Sequence, residues 1–242
     1  MVSVLFVDWH CGQGRSSNHL RSGALSLLEI HALVLDFGGP VLKTPFELRS
    51  IGEERAGLAA GTLAWTGPFD PASDPDWRDM QAEIITEREY WQRRSNEFAE
   101  LTGAEPTFRG MMEYVFDIDE DLMLRSGART LVADAKNAGY KVAVLTNDMK
   151  AFHGQAWVDR MTILRELDAL VDGSVEHVLK PHPEIYELLV ERLGVPAENC
   201  LFVDDQPANV AGAQSVGMQT MWFDVLDPDS SYGEVRETLG LS

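Results

Sequence analysis

Four short segments carry side chains whose chemistry is complementary. LVLDFGGPV sets Asp36 at the end of an apolar run, and VAVLTND ends in Thr146 and Asn147. VLKPHPEIY carries Lys180, and LFVDDQPANVAGA carries the adjacent Asp204 and Asp205. Three carboxylates in one place repel strongly, and a hard divalent cation such as Mg²⁺ relieves the repulsion. A lysine and a hydroxyl beside that cation would hold a phosphoryl group. The backbone N–H groups of the Gly38-Gly39 turn and of a helix start would add donors. Asp36 could then attack phosphorus and form an aspartyl-phosphate that water hydrolyses, with Lys180 offsetting charge in both steps. Taken singly, each residue has a plain structural reading. Asp36 can cap a turn, Thr146 and Asn147 can be loop residues, and Lys180 can be a solvated helix start. Asp204-Asp205 resists that treatment, because adjacent like charges after a buried run are costly without a cation.

The elements that must bring these residues together are legible in outline. HALVLDF, KVAVLTND, NCLFVDDQ and MQTMWFD are short apolar runs bounded by turn residues, as buried strands are. Residues 171–175 read as a further strand. Helical patterns lie between them: SGARTLVADAKNAGY closing at Gly139, residues 183–193 stopped by Gly194, and residues 207–216 stopped by Gly217. Strands alternating with helices predict a doubly covered parallel α/β sheet of Rossmann-like type. In such sheets the strand carboxyl ends carry the chemistry, and all four segments fall there.

One interval breaks the alternation. Residues 46–124 separate the first strand from the helix before the second, far more than a direct crossover needs. Met80, Ile84, Trp91 and Phe98 recur in DMQAEIITEREYWQRRSNEFAEL at helical steps, and Glu89 with Arg93 is spaced for an i, i+4 pair. The stretch holds 18 acidic against 7 basic residues. It reads as an acidic, mostly helical module inserted into a core formed by residues 31–45 and 125–242. Trp65, Phe69 and Trp91 could line a pocket, although helix packing is the plainer role for them.

Composition narrows the classes. The chain has 242 residues with 39 acidic and 20 basic side chains, a net charge of -19. Such a surface repels phosphate backbones, which argues against nucleic-acid partners and against polyphosphorylated or polymeric anions. No apolar run approaches the length of a membrane span. Two cysteines, Cys11 and Cys200, make no disulfide framework, which fits a cytoplasmic location. The opening MVSVLFVDWHCGQGR lacks a basic leader and is a poor signal peptide. Residues 1–30 read as a loosely ordered extension, with a short strand over 4–7 as the alternative; His10, Cys11 and His19 match no zinc spacing. His153, His177 and His182 read as surface or loop residues. Asp36-Phe37-Gly38 spells the kinase metal motif, but no upstream kinase element accompanies it.

In this order the four motifs resemble the haloacid dehalogenase-like (HAD) superfamily, in its C1-capped phosphatase branch. DFGG, LTN, LKPxPxIY and FVDDxxxN are similar to the N-terminal phosphatase domain of soluble epoxide hydrolases and their bacterial relatives. The likeness runs from about residue 31 to 224. It implies a Mg²⁺-dependent phosphatase of small phosphomonoesters, with the insert over 46–124 as a helical cap. Asp36 would be nucleophile and metal ligand, Gly38 would lend a carbonyl to the metal, Asp205 would ligate directly and Asp204 through water. Thr146, Asn147, Gly38, Gly39 and Lys180 would bind phosphate, and Asn209 would support the acidic loop.

One position departs from the family pattern. Its phosphatases carry a second Asp two residues after the nucleophile, to protonate the leaving oxygen and then activate water. Here that residue is Gly38. General acid–base assistance is commonly worth about 10²–10⁴-fold. Water, the substrate or a residue of the insert must replace it, and Asp70, Asp74, Asp76 and Asp79 are the candidates there. Two other readings share the scaffold. A metal-independent 2-haloacid dehalogenase would have to accept a carboxylate substrate beside Asp204 and Asp205. A non-catalytic phosphate-binding protein would account for Gly38.

Overall fold

The computed structural model describes residues 29–241. The candidate strand over 4–7 and the residues His10, Cys11 and His19 lie outside them.

Five strands form one parallel sheet: β1 (Ala32–Leu35), β2 (Lys141–Thr146), β3 (Ala169–Asp172), β4 (Cys200–Asp204) and β5 (Gln219–Trp222), in the order β3-β2-β1-β4-β5. The central strand β1 pairs with β2 on one side and β4 on the other. All four of its residues are buried, because side chains pointing either way meet helices. Leu33 and Leu35 join one apolar cluster with Val142, Val144, Leu201 and Val203. Ala32 and Val34 join the other, with Leu145, Phe202, Ile185 and Leu189. Chain direction across the sheet reverses at β1, since β2 and β3 lie to one side and β4 and β5 to the other. That reversal opens a crevice at the strand carboxyl ends, where such sheets bind ligands.

The insert between β1 and β2 is helical, as the sequence predicts: α1 (Arg49–Arg55), α2 (Pro75–Gln81), α3 (Glu87–Thr102), α4 (Phe108–Phe116) and α5 (Glu120–Met123), followed by the crossover helix α6 (Ser126–Asn137). After β2 come α7 (Met149–His153) and α8 (Gln155–Arg160), and α9 (Gly173–Glu176) follows β3. The remaining helices are α10 (Pro183–Leu193), α11 (Pro207–Ser215) and α12 (Pro228–Thr238). Among the described residues no helix is long and apolar enough to cross a membrane.

Two sequence expectations about the insert are corrected. The run from Met80 to Phe98 is two helices, not one, because Thr86 starts a new one. Its hydroxyl accepts from the Glu89 amide while the Glu89 carboxylate accepts from the Thr86 amide, a capping box. Ile84 therefore falls in the intervening turn, 70% exposed, whereas Met80, Trp91 and Phe98 are buried. Glu89 is held by the cap, so Arg93 pairs with Asp76 rather than with Glu89. The third strand also ends earlier than 175. The Asp172 side chain accepts from the Ser174 amide and turns the chain into α9.

An aromatic group of Phe46, Trp65, Trp77, Tyr90 and Trp91 forms the heart of the insert. Buried Asp74 organises it, accepting from the Thr66, Gly67 and Trp77 amides and from the Tyr90 hydroxyl. Polar contacts join the insert to the core across the crevice, among them the Arg88–Asp148 ion pair and a Gln81–Gln206 hydrogen bond.

Candidate active site

Asp36 leaves the end of β1, its amide donating to the Val203 carbonyl of β4 at 2.8 Å. The turn after it is fixed from two sides. Buried Arg125 donates through Nε to the Gly39 carbonyl at 2.6 Å, and the Tyr232 hydroxyl donates to the Pro40 carbonyl at 2.6 Å. Asp204 closes β4 with no exposed surface, and Asp205 begins the next loop, its carbonyl accepting from the Trp222 indole. Lys180 reaches in from the loop before α10, its side chain only 2% exposed.

Lys180 Nζ lies 2.5 Å from Asp36 Oδ1 and 2.7 Å from Asp204 Oδ2. Asp204 also accepts from the Gln206 amide at 2.8 Å and from Asn209 Nδ2 at 3.1 Å. Asn209 thus supports the acidic loop through Asp204. Each of Asp36, Asp204 and Asp205 has a carboxylate oxygen within 4.8 Å of the others. One ammonium cannot neutralise three carboxylates. Burial pulls the Lys180 ammonium toward deprotonation, but Asp204 and Asp36 more than reverse this and keep it charged. Burial pushes the Asp36 carboxyl up to about 7, against the pull of Lys180 and with reinforcement from Asp204. Burial likewise holds Asp205 well above the usual carboxylate range, with Asp204, Asp36 and Glu87 adding to it. A buried all-oxygen cluster with surplus negative charge suits a hard divalent cation.

Those shifts have a thermodynamic consequence. A carboxyl that binds its proton more tightly when folded stabilises the fold at low pH, and that contribution is lost as pH rises from about 4 to about 7. Without divalent cation, the melting temperature is expected to fall between pH 5 and pH 8. Mg²⁺ at a hundred times its dissociation constant contributes about 2.7 kcal/mol, or roughly 5–10 °C for a chain of this size. The gain should be larger at pH 8 than at pH 5, where protons compete. Melting curves in chelator and in Mg²⁺ test this, and a curve indifferent to Mg²⁺ at pH 8 would remove the cation from the site.

Two other predicted site residues take roles set by their hydrogen bonds. Asn147 Oδ1 accepts from the Lys180 amide at 2.8 Å, and its Nδ2 donates to the Lys180 carbonyl at 3.3 Å. Both ends of the Asn147 side-chain amide therefore hold the Lys180 backbone in place, and the second Nδ2 hydrogen is left for another acceptor. The Gly39 amide donates to the Leu42 carbonyl at 3.0 Å, so the expected phosphate donor there is already engaged. Gly39 has a different use. Its φ is +94°, and a Cβ would lie 2.8 Å from Asp205 Cγ and Oδ1. Gly39→Ala should push Asp205 aside and weaken Mg²⁺ binding by about 10-fold or more, as loss of supporting contacts does at metal sites. Unchanged affinity by calorimetry would show that Asp205 does not hold the cation. Thr146, at the end of β2, and Gly38 line the cleft.

Above these residues lies a cavity of about 120 Å³ walled by Phe46, Trp77, Trp91, Met112, Phe116 and Phe152. Of the aromatic residues singled out from sequence, Trp91 lines it, Trp65 is fully buried and Phe69 is 45% exposed elsewhere. His153, expected at the surface, also lines it. It stacks on Trp157 with ring centroids 4.0 Å apart, and burial keeps it neutral. The four candidate aspartates, Asp70, Asp74, Asp76 and Asp79, do not line it: Asp74 is locked in its cap, Asp76 pairs with Arg93 and Arg94, and Asp70 accepts from Ser73. The acidic residue of the insert that faces the cleft is Glu87, at the start of α3. The Thr86 capping box marks that helix start in the sequence, but nothing there says that it meets the sheet edge.

A family model for haloacid dehalogenase-like hydrolases matches residues 30–217. The chain belongs to that family. Among its relatives, the mouse protein acyl-CoA dehydrogenase family member 10 is 25% identical over 232 residues, which cover 94% of this chain and 21% of that protein. Phosphatase MT3486 of Mycobacterium tuberculosis is 31% identical over 97 residues, 40% of this chain and 45% of that one. The chain thus spans about a fifth and under half of these relatives. The haloacid dehalogenase-like fold is seen again in the Bacillus subtilis putative HAD-hydrolase YfnB bound to magnesium, with TM-score 0.66 and 16% identity, over 87% of this chain and 99% of that one.

Proposed function

We propose that this chain is a Mg²⁺-dependent phosphatase of small phosphomonoesters, acting through phospho-Asp36. The observation that carries the reading is one buried lysine shared by Asp36 and Asp204 beside a third carboxylate, at the carboxyl edge of a parallel sheet. The resemblance to the phosphatase domain of soluble epoxide hydrolases, with residues 46–124 as a cap over a core of 31–45 and 125–242, belongs to the same proposal.

Asp36, Asp205 and the Gly38 carbonyl would hold Mg²⁺, with Asp204 behind them; when bound, it supplies positive charge for the phosphoryl oxygens. Everything else falls to the chain. Lys180 pins Asp36 through Oδ1. The other oxygen, Oδ2, faces the open side at Gly38, where nothing else would lie within 4 Å of an added Cβ. That oxygen would attack phosphorus. Thr146 and the Gly38 amide would hold the phosphoryl oxygens, and Lys180 would offset charge as the bond to Asp36 forms. Water then releases phosphate and restores the carboxylate.

The cavity also limits the rest of the substrate. Its walls are mostly apolar, the nearby Arg88 is committed to Asp148 and His153 is neutral, while Lys43 gives one Nζ hydrogen to the Leu122 carbonyl. The mostly apolar lining favours monophosphates with a small apolar leaving group, and the three carboxylates beside Lys180 argue against a 2-haloacid. Mg²⁺-dependent phosphate release from p-nitrophenyl phosphate and a panel of monophosphates, with Asp36→Asn as control, tests the reading. Chloride release from 2-haloacids without metal would overturn it.

A further inference from the structure

Expelling an alkoxide requires a proton, and Gly38 cannot supply one. Packing does not exclude a side chain there, since the sole neighbour of a Cβ is Asp36 Oδ2 at 3.8 Å. Glu87 lines the same cleft as Asp36, Gly38 and Lys180. It is the first residue of α3, and the capping box and the Arg88–Asp148 ion pair hold that helix end against the loop after β2. The side chain of Trp91, one turn on, also faces the cleft and lowers the proton affinity of the Glu87 carboxyl. It forms no ion pair among the described residues.

Resting on the phosphatase reading, we propose that Glu87 is the general acid–base that replaces the absent aspartate. As an Asp36 oxygen bonds to phosphorus, the bond from phosphorus to the leaving oxygen breaks and that oxygen takes the Glu87 proton. Water then attacks phosphorus, gives a proton to the Glu87 carboxylate and displaces Asp36 as phosphate leaves. The surroundings suit both states. Burial within the cleft raises the Glu87 carboxyl, Lys180 opposes this, and Asp148 and Asp204 add to the rise. Glu87 in turn helps to raise Asp205. The residue as a whole is exposed to solvent, as proton exchange requires.

Glu87→Gln in the full chain with Mg²⁺ tests this against two substrates. With an alkyl phosphate, kcat/KM should fall about 10²-fold or more, the usual worth of a general acid. With p-nitrophenyl phosphate, whose leaving group needs little protonation, kcat/KM should stay within about threefold. Its kcat should drop, with a burst of nitrophenol, because the second step has lost its base. The wild-type profile for the alkyl substrate should fall at high pH and the variant should lose that limb. Adding Gly38→Asp to Glu87→Gln should restore alkyl turnover. Equal losses on both substrates, or none, with an unchanged melting temperature, would overturn the role of Glu87 and leave the phosphatase intact. A wild type inactive on both substrates would overturn the phosphatase reading and this one together.

Discussion

Asp36→Asn is expected to reduce Mg²⁺-dependent phosphate release by about 10⁴-fold or more, the scale on which loss of a nucleophile acts, while the protein stays folded. An amide in place of the carboxylate cannot form the phospho-enzyme. The structure also says why the fold should tolerate the change. Lys180 keeps its 2.7 Å contact with Asp204, and the crowded cluster loses one of its three carboxylates. In chelator at pH 8 the variant should therefore melt no lower than the wild type. Phosphate release and a melting curve on the same preparation decide the matter. Near-normal turnover in a folded Asp36→Asn would move the nucleophile elsewhere.

Lys180→Met should be the opposite case, costly to both activity and stability. Nζ is the side-chain cation that contacts Asp36 and Asp204, and both it and Asp204 are buried. Removing one partner of such a pair leaves uncompensated charge at a cost of about 3–5 kcal/mol, or roughly 10 °C of melting temperature. Turnover should fall by at least about 10²-fold, because a fixed charge beside the reacting group is lost. The stability loss should shrink at pH 5. There Asp36, whose carboxyl already binds its proton up to about 7, can take up a proton instead of standing unpaired. Melting curves at pH 5 and pH 8 separate charge from packing: an equal loss at both would assign the effect to the missing aliphatic contacts.

The strands were readable because parallel strands covered on both faces must be short, apolar and ended by turn residues. β1, β2 and β4 meet that rule, and β5, at the sheet edge with none of its residues buried, was legible from its bounding turn residues. The residues gathered at their ends were readable for a related reason, since Asp36, Lys180 and Asp204 are ionisable groups where burial is costly, with Asp205 half-buried beside them. What sequence did not show depends on contacts between distant segments. The periodicity from Met80 to Phe98 continues across 82–86, and it takes the reciprocal Thr86–Glu89 bonds to break the helix. Asn147 has the chemistry of a phosphate ligand, and only the fold shows that its side chain also braces the backbone of Lys180. Gly39 looks like an amide donor until Leu42 folds back upon it. Glu87 is one of many acids in the insert, and only the docking of α3 over the sheet edge singles it out.

The position of β1 has a consequence for how the molecule can breathe. Hydrogen-bonded to a strand on each side and buried throughout, β1 belongs with the elements that release their amide protons only on global unfolding. Asp36 hangs from its last residue, with its own amide tied to β4. Glu87 rides on a separate helical layer, joined to the core in part by an ion pair whose arginine is half open to solvent. Local opening of that layer can admit and release small molecules while Asp36 and Lys180 keep their register. Access and attack are thus assigned to parts of the chain with very different lifetimes of exposure.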